Sequence, residues 1–445
     1  MKLRLTTIGM LVAAAVVTAA PAFAQLPPAR AARPARTVFG AGLKPASERL
    51  TIGASFGAGY DDDLTVVPPG FATPVHSGEF ASAITNVRYM VDRDTLRGGL
   101  SLGAAIRYYG QNQTPIGIYN GGGDVTYALS KKTSMTANFR AGSYLNTASI
   151  FTGDAFSVDP FTSNVPFVPI DTAFPDGSTY NSLYADVGLG HQFNARVSAS
   201  GSYTYYANNA WSGTATTTYG AHSGRGGVTV DLGKGFSARA GYAYTGSGLG
   251  LINGVTPAYS GHSFDGGVSY SNAISLSRRS SLSFSTSMST ISDQNRNTRF
   301  FAGGTVAYTY EIGRSWDTGV YYSRGVDMYQ ILGQPTFSDQ VDFNIGGGIG
   351  RRVQVAGGAG YVRGTVGVSA GAPPYDATHG GAGVRIGLAR NFGLSINYAY
   401  YRYEYDNSIP LPPGLLPSME RQVFRISFDV WAPLYERARR ANATR

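Results

Sequence analysis

The sequence predicts an all-β fold, a transmembrane antiparallel up-and-down β-barrel of about 18 strands (roughly 16–20), with short periplasmic turns and long extracellular loops. Three observations predict it. Apolar residues alternate with small or polar ones, short basic turns recur along the chain, and charged residues make up only 14% of the composition. Soluble domains usually carry about 25% charged residues, so this scarcity favours a protein in contact with lipid.

The alternation is clear in the segment VRIGLARNFGLSINYAYY, residues 384–401. Val384 and Ile386 alternate with Arg385, and the pattern resumes at Leu394 after a three-residue break. Successive side chains of a strand point to opposite faces, so the segment is a hairpin with one apolar face and one small or polar face.

Polar turns divide the rest of the chain into similar hairpins. The middle residues of these turns are 93, 131, 194, 233, 278, 313, 351 and 390. Each interval holds two strands and one connection that is rich in Pro, Asn, Asp and Gly. Eight turns and nine connections predict eighteen strands, with both termini at the turn end.

The apolar face is predicted to point outward. An inward apolar face would surround a lumen too wide for side chains to fill, and it would place Arg and Asp against lipid. Phe139 and Phe428 then face lipid, while Arg140 and Asp429 face the lumen. Tyrosine pairs at the loop ends of strands are the expected aromatic girdle: Tyr108-Tyr109, Tyr205-Tyr206, Tyr321-Tyr322 and Tyr400-Tyr401.

The chain divides into four predicted parts. Residues 1–24 form a cleaved signal peptide with Lys2 and Arg4, an apolar core and an Ala22-Phe23-Ala24 cleavage site. Residues 25–47 form a flexible basic Pro/Ala-rich periplasmic tail, 48–432 the barrel, and 433–445 a basic periplasmic C-terminal tail. The net charge of +9 comes from the ends of the chain, so it is weak evidence for nucleic-acid binding. No nucleic-acid partner is expected.

Extending the alternation gives a set of predicted pore-lining residues. They are Arg88, Arg107, Arg140, Arg239, Arg385 and Arg425, with Asp124, Asp186, Asp231, Asp265, Asp342 and Asp429. A wall of both signs predicts weak selectivity, whereas rings of one sign select by charge. The alternative is that these residues pair with one another and brace the wall.

Two loops carry further hypotheses. Asp61, Asp62 and Asp63 form a candidate cation-binding loop, since carboxylates suit Ca²⁺ or Mg²⁺, although the spaced EF-hand pattern is absent and a plain acidic loop is the alternative. The third long loop, near residues 147–177, either folds into the lumen or stays on the surface. No resident metal or cofactor is expected, and the absence of Cys excludes thiolate sites.

Enzyme motifs are weak in this sequence. No His pair has metal-ligand spacing. His222 beside Ser223 and His262 beside Ser263 are the best nucleophile and base candidates, but adjacent residues of a strand face opposite ways. The chain is therefore expected not to be an enzyme and to have no catalytic residue.

The first strand with its acidic end, TIGASFGAGYDDDL, and the last strand, QVFRISFDVW, resemble β-barrel porin families of Gram-negative bacteria, including barrels found with exopolysaccharide export systems. The resemblance implies an outer-membrane location, contact with outer-membrane lipid and lipopolysaccharide, and assembly by the barrel-insertion machinery. Such barrels commonly end on an aromatic residue, whereas here Trp431 is followed by fourteen more residues, 432–445.

The expected function is a channel for passive diffusion of small hydrophilic solutes across the outer membrane. Two alternatives stay open at this point. One is an exit barrel for a secreted exopolysaccharide, and the other is a non-conducting scaffold or adhesin that acts through its loops.

Overall fold

A computed structural model describes most of the chain between residues 46 and 438. The described ranges are 46–63, 78–110, 116–144, 179–212, 215–247, 260–272, 279–292, 297–313, 315–329, 334–369, 371–409 and 417–438. The predicted signal peptide and the whole of the third long loop, near residues 147–177, lie outside these residues.

Eighteen β-strands make up nearly all of the described chain. The first nine are β1 (Ala46–Asp63), β2 (Gly78–Asp92), β3 (Leu96–Tyr109), β4 (Ile116–Ala128), β5 (Thr133–Tyr144), β6 (Thr179–Gln192), β7 (Val197–Ser212), β8 (Ala215–Gly233) and β9 (Phe236–Ser247). The other nine are β10 (Ser260–Asn272), β11 (Ser280–Ser292), β12 (Thr298–Ile312), β13 (Trp316–Tyr329), β14 (Gln334–Ile349), β15 (Val353–Val366), β16 (Pro374–Ala389), β17 (Phe392–Tyr405) and β18 (Ser418–Ala438).

These strands form one closed antiparallel barrel. Each strand pairs with its neighbours in sequence, and β1 pairs with β18 to close the sheet. Because the sheet is closed, no edge strand has unpaired backbone N–H and C=O groups, and this is what allows strands to lie in hydrocarbon. The predicted barrel and its strand number are confirmed. Within the described residues, no helix has the length and apolar character needed to cross a membrane.

The two ends of the barrel differ, and we name them the turn end and the loop end. The predicted turns lie between paired strands at the turn end, where the described chain also begins and finishes. The middle residue of one of them, 278, lies outside the described residues. At the loop end the connections range from residues 145–178 to the two residues 213–214 between β7 and β8. The prediction that all loop-end connections are long is therefore wrong for β7 and β8, which extend further as a hairpin.

The β8–β9 turn shows how glycine permits these short connections. Gly233, Lys234 and Gly235 have φ angles of 84°, 54° and 85°. Glycine adopts a positive φ without steric cost, and here two glycines flank Lys234, which also has a positive φ. The carboxylate of Asp231 also accepts a 2.7 Å hydrogen bond from the amide of Gly233. The chain therefore reverses direction within three residues.

The apolar face of the sheet is the outer face. Leu102, Ile106 and Phe139 are 54%, 56% and 49% exposed, and Phe428 is 41% exposed. The next residue after Ile106, Arg107, is only 7% exposed because it points to the inner face. The prediction that the apolar side chains lie on the outside of the barrel is therefore confirmed.

The first and last strands extend beyond the predicted barrel boundaries. β1 begins at Ala46, which pairs with Ala438, so residues 433–438 belong to β18 and not to a tail. The pairing shifts between Leu50 and Thr51, opposite Tyr435 and Pro433, which is a β-bulge. Proline has no N–H to donate, so a bulge is a position where a strand tolerates it.

Buried apolar side chains gather at the loop end of the barrel. Ile291, Phe301 and Phe337 form one cluster with Val368. By register, Phe337 lies on the same side of β14 as the outward Asp339, so this cluster does not belong to the inner face alone. A second group on β15 to β18 holds Val362, Val366, Tyr375, Ala377, Tyr401, Tyr403, Tyr405 and Met419, each at most 4% exposed. The core therefore does not fill the length of the lumen but packs one part of its loop end.

Candidate functional site

The inner wall of the barrel carries the candidate functional residues. The register places all twelve predicted pore-lining positions on the face opposite the exposed apolar side chains. Arg88, Asp124 and Asp231 are exposed there, and the side chains of Arg140, Arg239 and Arg385 are partly exposed. Five others are buried, namely Arg107, Asp186, Asp342, Arg425 and Asp429. The side chain of Asp265 lies outside the described residues, and a role of the twelve in conduction stays a prediction.

A buried ionic cluster lies at the loop end of the inner wall, on the seam between β18 and β1. The carboxylate of Asp61 accepts hydrogen bonds from Nε and Nη2 of Arg421 at 2.6 and 2.8 Å. Nη1 of Arg107 and the hydroxyl of Tyr109 donate to the same carboxylate at 2.9 and 2.7 Å. Asp61 and Arg421 are both 0% exposed. The ring of Phe80 lies 4.0 Å from the guanidinium carbon of Arg107 and completes the enclosure.

This cluster changes the reading of the candidate cation loop. Asp61, Asp62 and Asp63 belong to strand β1, not to a loop. Asp61 points inward onto two guanidinium groups, while Asp62 lies on the outer face, so the two carboxylates cannot share a cation. Among the described residues, no group of three or more acidic or histidine side chains is arranged to hold a metal ion.

A second polar cluster surrounds Asp429 nearer the turn end. The carboxylate of Asp429 accepts from the hydroxyls of Ser55 at 2.7 Å and Ser427 at 3.3 Å, and from Ser395 by a very short bond. Nη2 of Arg425 donates to Ser55 at 3.0 Å. Nε of Arg385 donates to Ser395 at 3.3 Å and lies 3.6 Å from the Asp429 carboxylate. Three of the predicted residues therefore meet in one network across β16, β17, β18 and β1.

A histidine and an aspartate meet over a glycine on the same arc of the wall. Asp342, Gly360 and His379 are directly opposed on β14, β15 and β16. Nε2 of His379 lies 3.1 Å from Oδ1 of Asp342, although the angle does not make a hydrogen bond. A Cβ at Gly360 would lie 2.3 Å from that oxygen and 2.4 Å from the imidazole. Only glycine leaves room for the two side chains to meet.

The opposite arc of the wall is richer in hydroxyl groups than in charge. Ser281, Ser283, Ser285, Ser287 and Ser289 occupy five successive inward positions of β11. Hydroxyls of neighbouring strands pair there, as in Ser285 with Thr305 at 2.7 Å and Ser237 with Ser269 at 2.7 Å. Nη2 of Arg239 donates to the carbonyl of Thr286 at 2.8 Å, and Asn138 donates to Asp186. This arc offers donors and acceptors with little net charge.

A row of charges crosses the outer face at the loop end. Four directly opposed residues on β13 to β16 alternate in sign: Arg324, Asp339, Arg363 and Asp376. Nη1 of Arg324 lies 3.4 Å from the Asp339 carboxylate. Beyond the strands, the hydroxyl and amide of Ser408 donate to Asp406 at 2.6 and 2.9 Å and lower the pKa of that carboxyl. Such charges fit the aqueous layer above an apolar belt.

At the turn end, Glu48 ties the two terminal strands to the first turn. Nη2 of Arg93 donates to its carboxylate, and Nη1 of Arg437 lies 3.4 Å from the same oxygen. Arg49 and Glu436 form a second pair at 2.9 Å. Both charged residues of the predicted C-terminal tail that lie here, Glu436 and Arg437, thus pair with residues of β1 of opposite charge.

The histidine–serine pairs considered for catalysis lie on opposite faces. Nδ1 of His262 lies 2.7 Å from the hydroxyl of Tyr242 on the outer face, whereas Ser263 faces inward toward Ser289. His222 packs between Tyr203 and Tyr244 outside, and Ser223 accepts from Thr245 inside. Neither serine is a partner of its neighbouring histidine.

Sequence reasoning missed three inward residues, and the structure brings two of them, Arg421 and His379, into clusters. Arg421 lies on the same side of its strand as Arg425, and His379 lies on the same side as Arg385. Arg225 lies on the same side of β8 as Asp231. Extending the alternation to the loop ends would have found all three.

Comparison with known proteins gives only general likeness. No protein-family model and no curated protein sequence matches the chain. Among solved structures, the siderophore receptor PirA from Pseudomonas aeruginosa is 6% identical with a TM-score of 0.41, covering 87% of this chain and 81% of that chain. OpdQ from Pseudomonas aeruginosa is 11% identical with a TM-score of 0.40, covering 87% and 98%. OccAB2 from Acinetobacter baumannii is 10% identical with a TM-score of 0.41, again covering 87% and 98%.

Proposed function

We propose that this chain is an outer-membrane barrel of a Gram-negative bacterium that passes small hydrophilic solutes by diffusion. One observation carries the proposal: a closed eighteen-stranded sheet with apolar side chains outside and polar or charged side chains inside. A sheet of that kind is stable in a bilayer because no edge is left unpaired and the outer face matches the hydrocarbon. The signal-peptide-like N-terminus supports export to that membrane.

In this proposal, the residues that meet a solute are the exposed inward ones. Arg88, Asp124 and Asp231 are exposed, while Asp61 and Arg421 are closed off from water by their own partners. Exposed groups of both signs give weak charge selectivity. The proposed role is transport, and the histidine and serine of each candidate pair lie on opposite faces of their strand.

The test is single-channel recording of the refolded barrel in a planar bilayer, with the reversal potential measured under a salt gradient. We expect steady conductance steps with weak ion selectivity. Arg88→Gln should shift the reversal potential toward cation preference, because it removes an exposed positive charge. Arg324→Gln is the matched control, since Arg324 lies on the outer face and its loss should leave the potential unchanged.

A folded barrel that stays electrically silent would overturn the channel proposal. Its folded state is checked independently by the heat-dependent change in gel mobility of the protein. Silence with correct folding would favour the scaffold or adhesin alternative, in which the loop end binds a partner and no solute passes.

A further inference from the structure

A furrow runs along the outer face of β2 at the loop end of the barrel. Its floor is formed by small side chains, Ala58 and Ala81, which are directly opposed on β1 and β2. Its walls are formed by large exposed side chains, Tyr60, Tyr108, Phe424 and Ile426. The furrow has a volume of 550 Å³.

The furrow lies within the apolar belt and opens toward the loop end. Below Ala81, the next outward residue of β2 is Ala83, between Phe56 and Ile106 on the neighbouring strands. Small side chains between two ridges of large ones leave a linear depression along the strand. Its width and apolar lining fit a hydrocarbon chain lying parallel to β2.

The top of the furrow is acidic. Glu79 is exposed and lies opposite Tyr60, and Asp62 is the next outward residue of β1. The sequence has no lysine or arginine between Arg49 and Arg88, or between Arg107 and Lys131. Arg107 and Arg421, on the neighbouring strands β3 and β18, point inward onto Asp61. The outward carboxylates therefore present negative charge at the level of the two tyrosines.

We infer that this furrow binds one lipid whose acyl chain lies over Ala58 and Ala81 and whose headgroup carries a protonated primary amine. The amine meets Glu79 and Asp62, while a headgroup with only a phosphate is repelled by them. Tyrosines at the two ridges fit the boundary between the hydrocarbon and the headgroups. The inference goes beyond channel activity but requires that the barrel spans a bilayer.

The experiment reconstitutes the full chain into bilayers of equimolar phosphatidylethanolamine and phosphatidylglycerol with identical acyl chains. Bound lipid is then counted by native mass spectrometry after transfer to detergent. We expect one retained phosphatidylethanolamine in excess over phosphatidylglycerol. Ala81→Phe fills the floor and should abolish this retention. Ala240→Phe places the same ring on the outer face of β9 and should leave it intact.

The charge is tested separately in the double variant Glu79→Gln and Asp62→Asn. It should still hold lipid but lose its preference for the amine headgroup by about fivefold, which is the scale of exposed ion pairs. If Ala81→Phe does not fold, Ala58→Phe replaces it, because Ala58 forms the other half of the floor.

Three outcomes would overturn the inference. They are equal retention of both lipids by the unmodified barrel, retention that Ala81→Phe leaves unchanged, and a preference for phosphatidylglycerol that a chelator removes. The last would indicate a divalent cation bridging phosphate to the carboxylates. Failure of the barrel to enter bilayers is seen separately, as protein that does not float with vesicles, and it would contradict the channel proposal as well.

Discussion

Replacing Asp61 by asparagine is expected to destabilise the seam that closes the barrel. The carboxylate accepts four hydrogen bonds, of 2.6 and 2.8 Å from Arg421, 2.9 Å from Arg107 and 2.7 Å from Tyr109. Asparagine keeps one acceptor oxygen and removes the charge, which leaves two buried guanidinium groups without an anion. Removing one partner of a buried ion pair costs about 3–5 kcal/mol.

We expect Asp61→Asn to lower the free energy of unfolding by about 3 kcal/mol, the lower end of this range, because the amide oxygen still accepts a hydrogen bond from one arginine. That value lowers the ratio of folded to unfolded barrel by about a hundredfold. The measurement is equilibrium urea unfolding in lipid vesicles, followed by tryptophan fluorescence. Since Asp61 and Arg421 are 0% exposed, salt should screen the effect only weakly.

Asp62→Asn is the matched control, since the neighbouring side chain lies on the outer face and carries the same charge. We expect its free energy of unfolding to stay within about 0.5 kcal/mol of the unmodified barrel. If Asp61→Asn and Asp62→Asn unfold at the same urea concentration, the ionic cluster does not stabilise the seam and the reasoning is refuted.

Two further predictions concern the wall. Gly360→Ala should lower the free energy of unfolding by about 1–3 kcal/mol, because its Cβ would lie 2.3 Å from the Asp342 carboxylate. Gly357→Ala, on the outer face, is the control. Its Cβ would meet nothing closer than 3.4 Å, so its loss of free energy should be smaller. The chain has no cysteine, so single cysteines report accessibility cleanly. In vesicles, Ser101→Cys should react with a charged thiol reagent and Leu102→Cys should not. Equal labelling of both would contradict the outward apolar face.

The barrel could be predicted from the sequence because its signals are local and repeated. A side-chain period of two, together with a basic turn in every hairpin, determines strand number and face. Residues such as Leu102 and Phe428 were assigned to the correct face because a wide lumen cannot be filled by side chains. Predicting the strand number and the outward face does not require knowing which strands, far apart in sequence, pair with each other.

The clusters on the wall could not be predicted, because they depend on register between strands that are far apart in sequence. Asp61 and Arg421 are 360 residues apart and meet only because β1 and β18 close the sheet. The run Asp61 to Asp63 looked like a loop since strands are usually poor in aspartate. An inward arginine pair makes aspartate favourable there, and no local pattern reveals that pair.

The inner wall carries two kinds of charged residue, those buried in clusters and those that are exposed. The clusters at Asp61, Asp342 and Asp429 lie on the arc from β14 through β18 to β3, and each is buried. A polar group that is already bonded to a buried partner cannot bond a solute without losing that contact. We propose that the hydrogen-bonded clusters at Asp61 and Asp429 brace this arc, which is one of the two interpretations that the sequence left open. Under this proposal a solute meets exposed groups such as Arg88 and Asp124, so selectivity should respond to them and stability to the clusters.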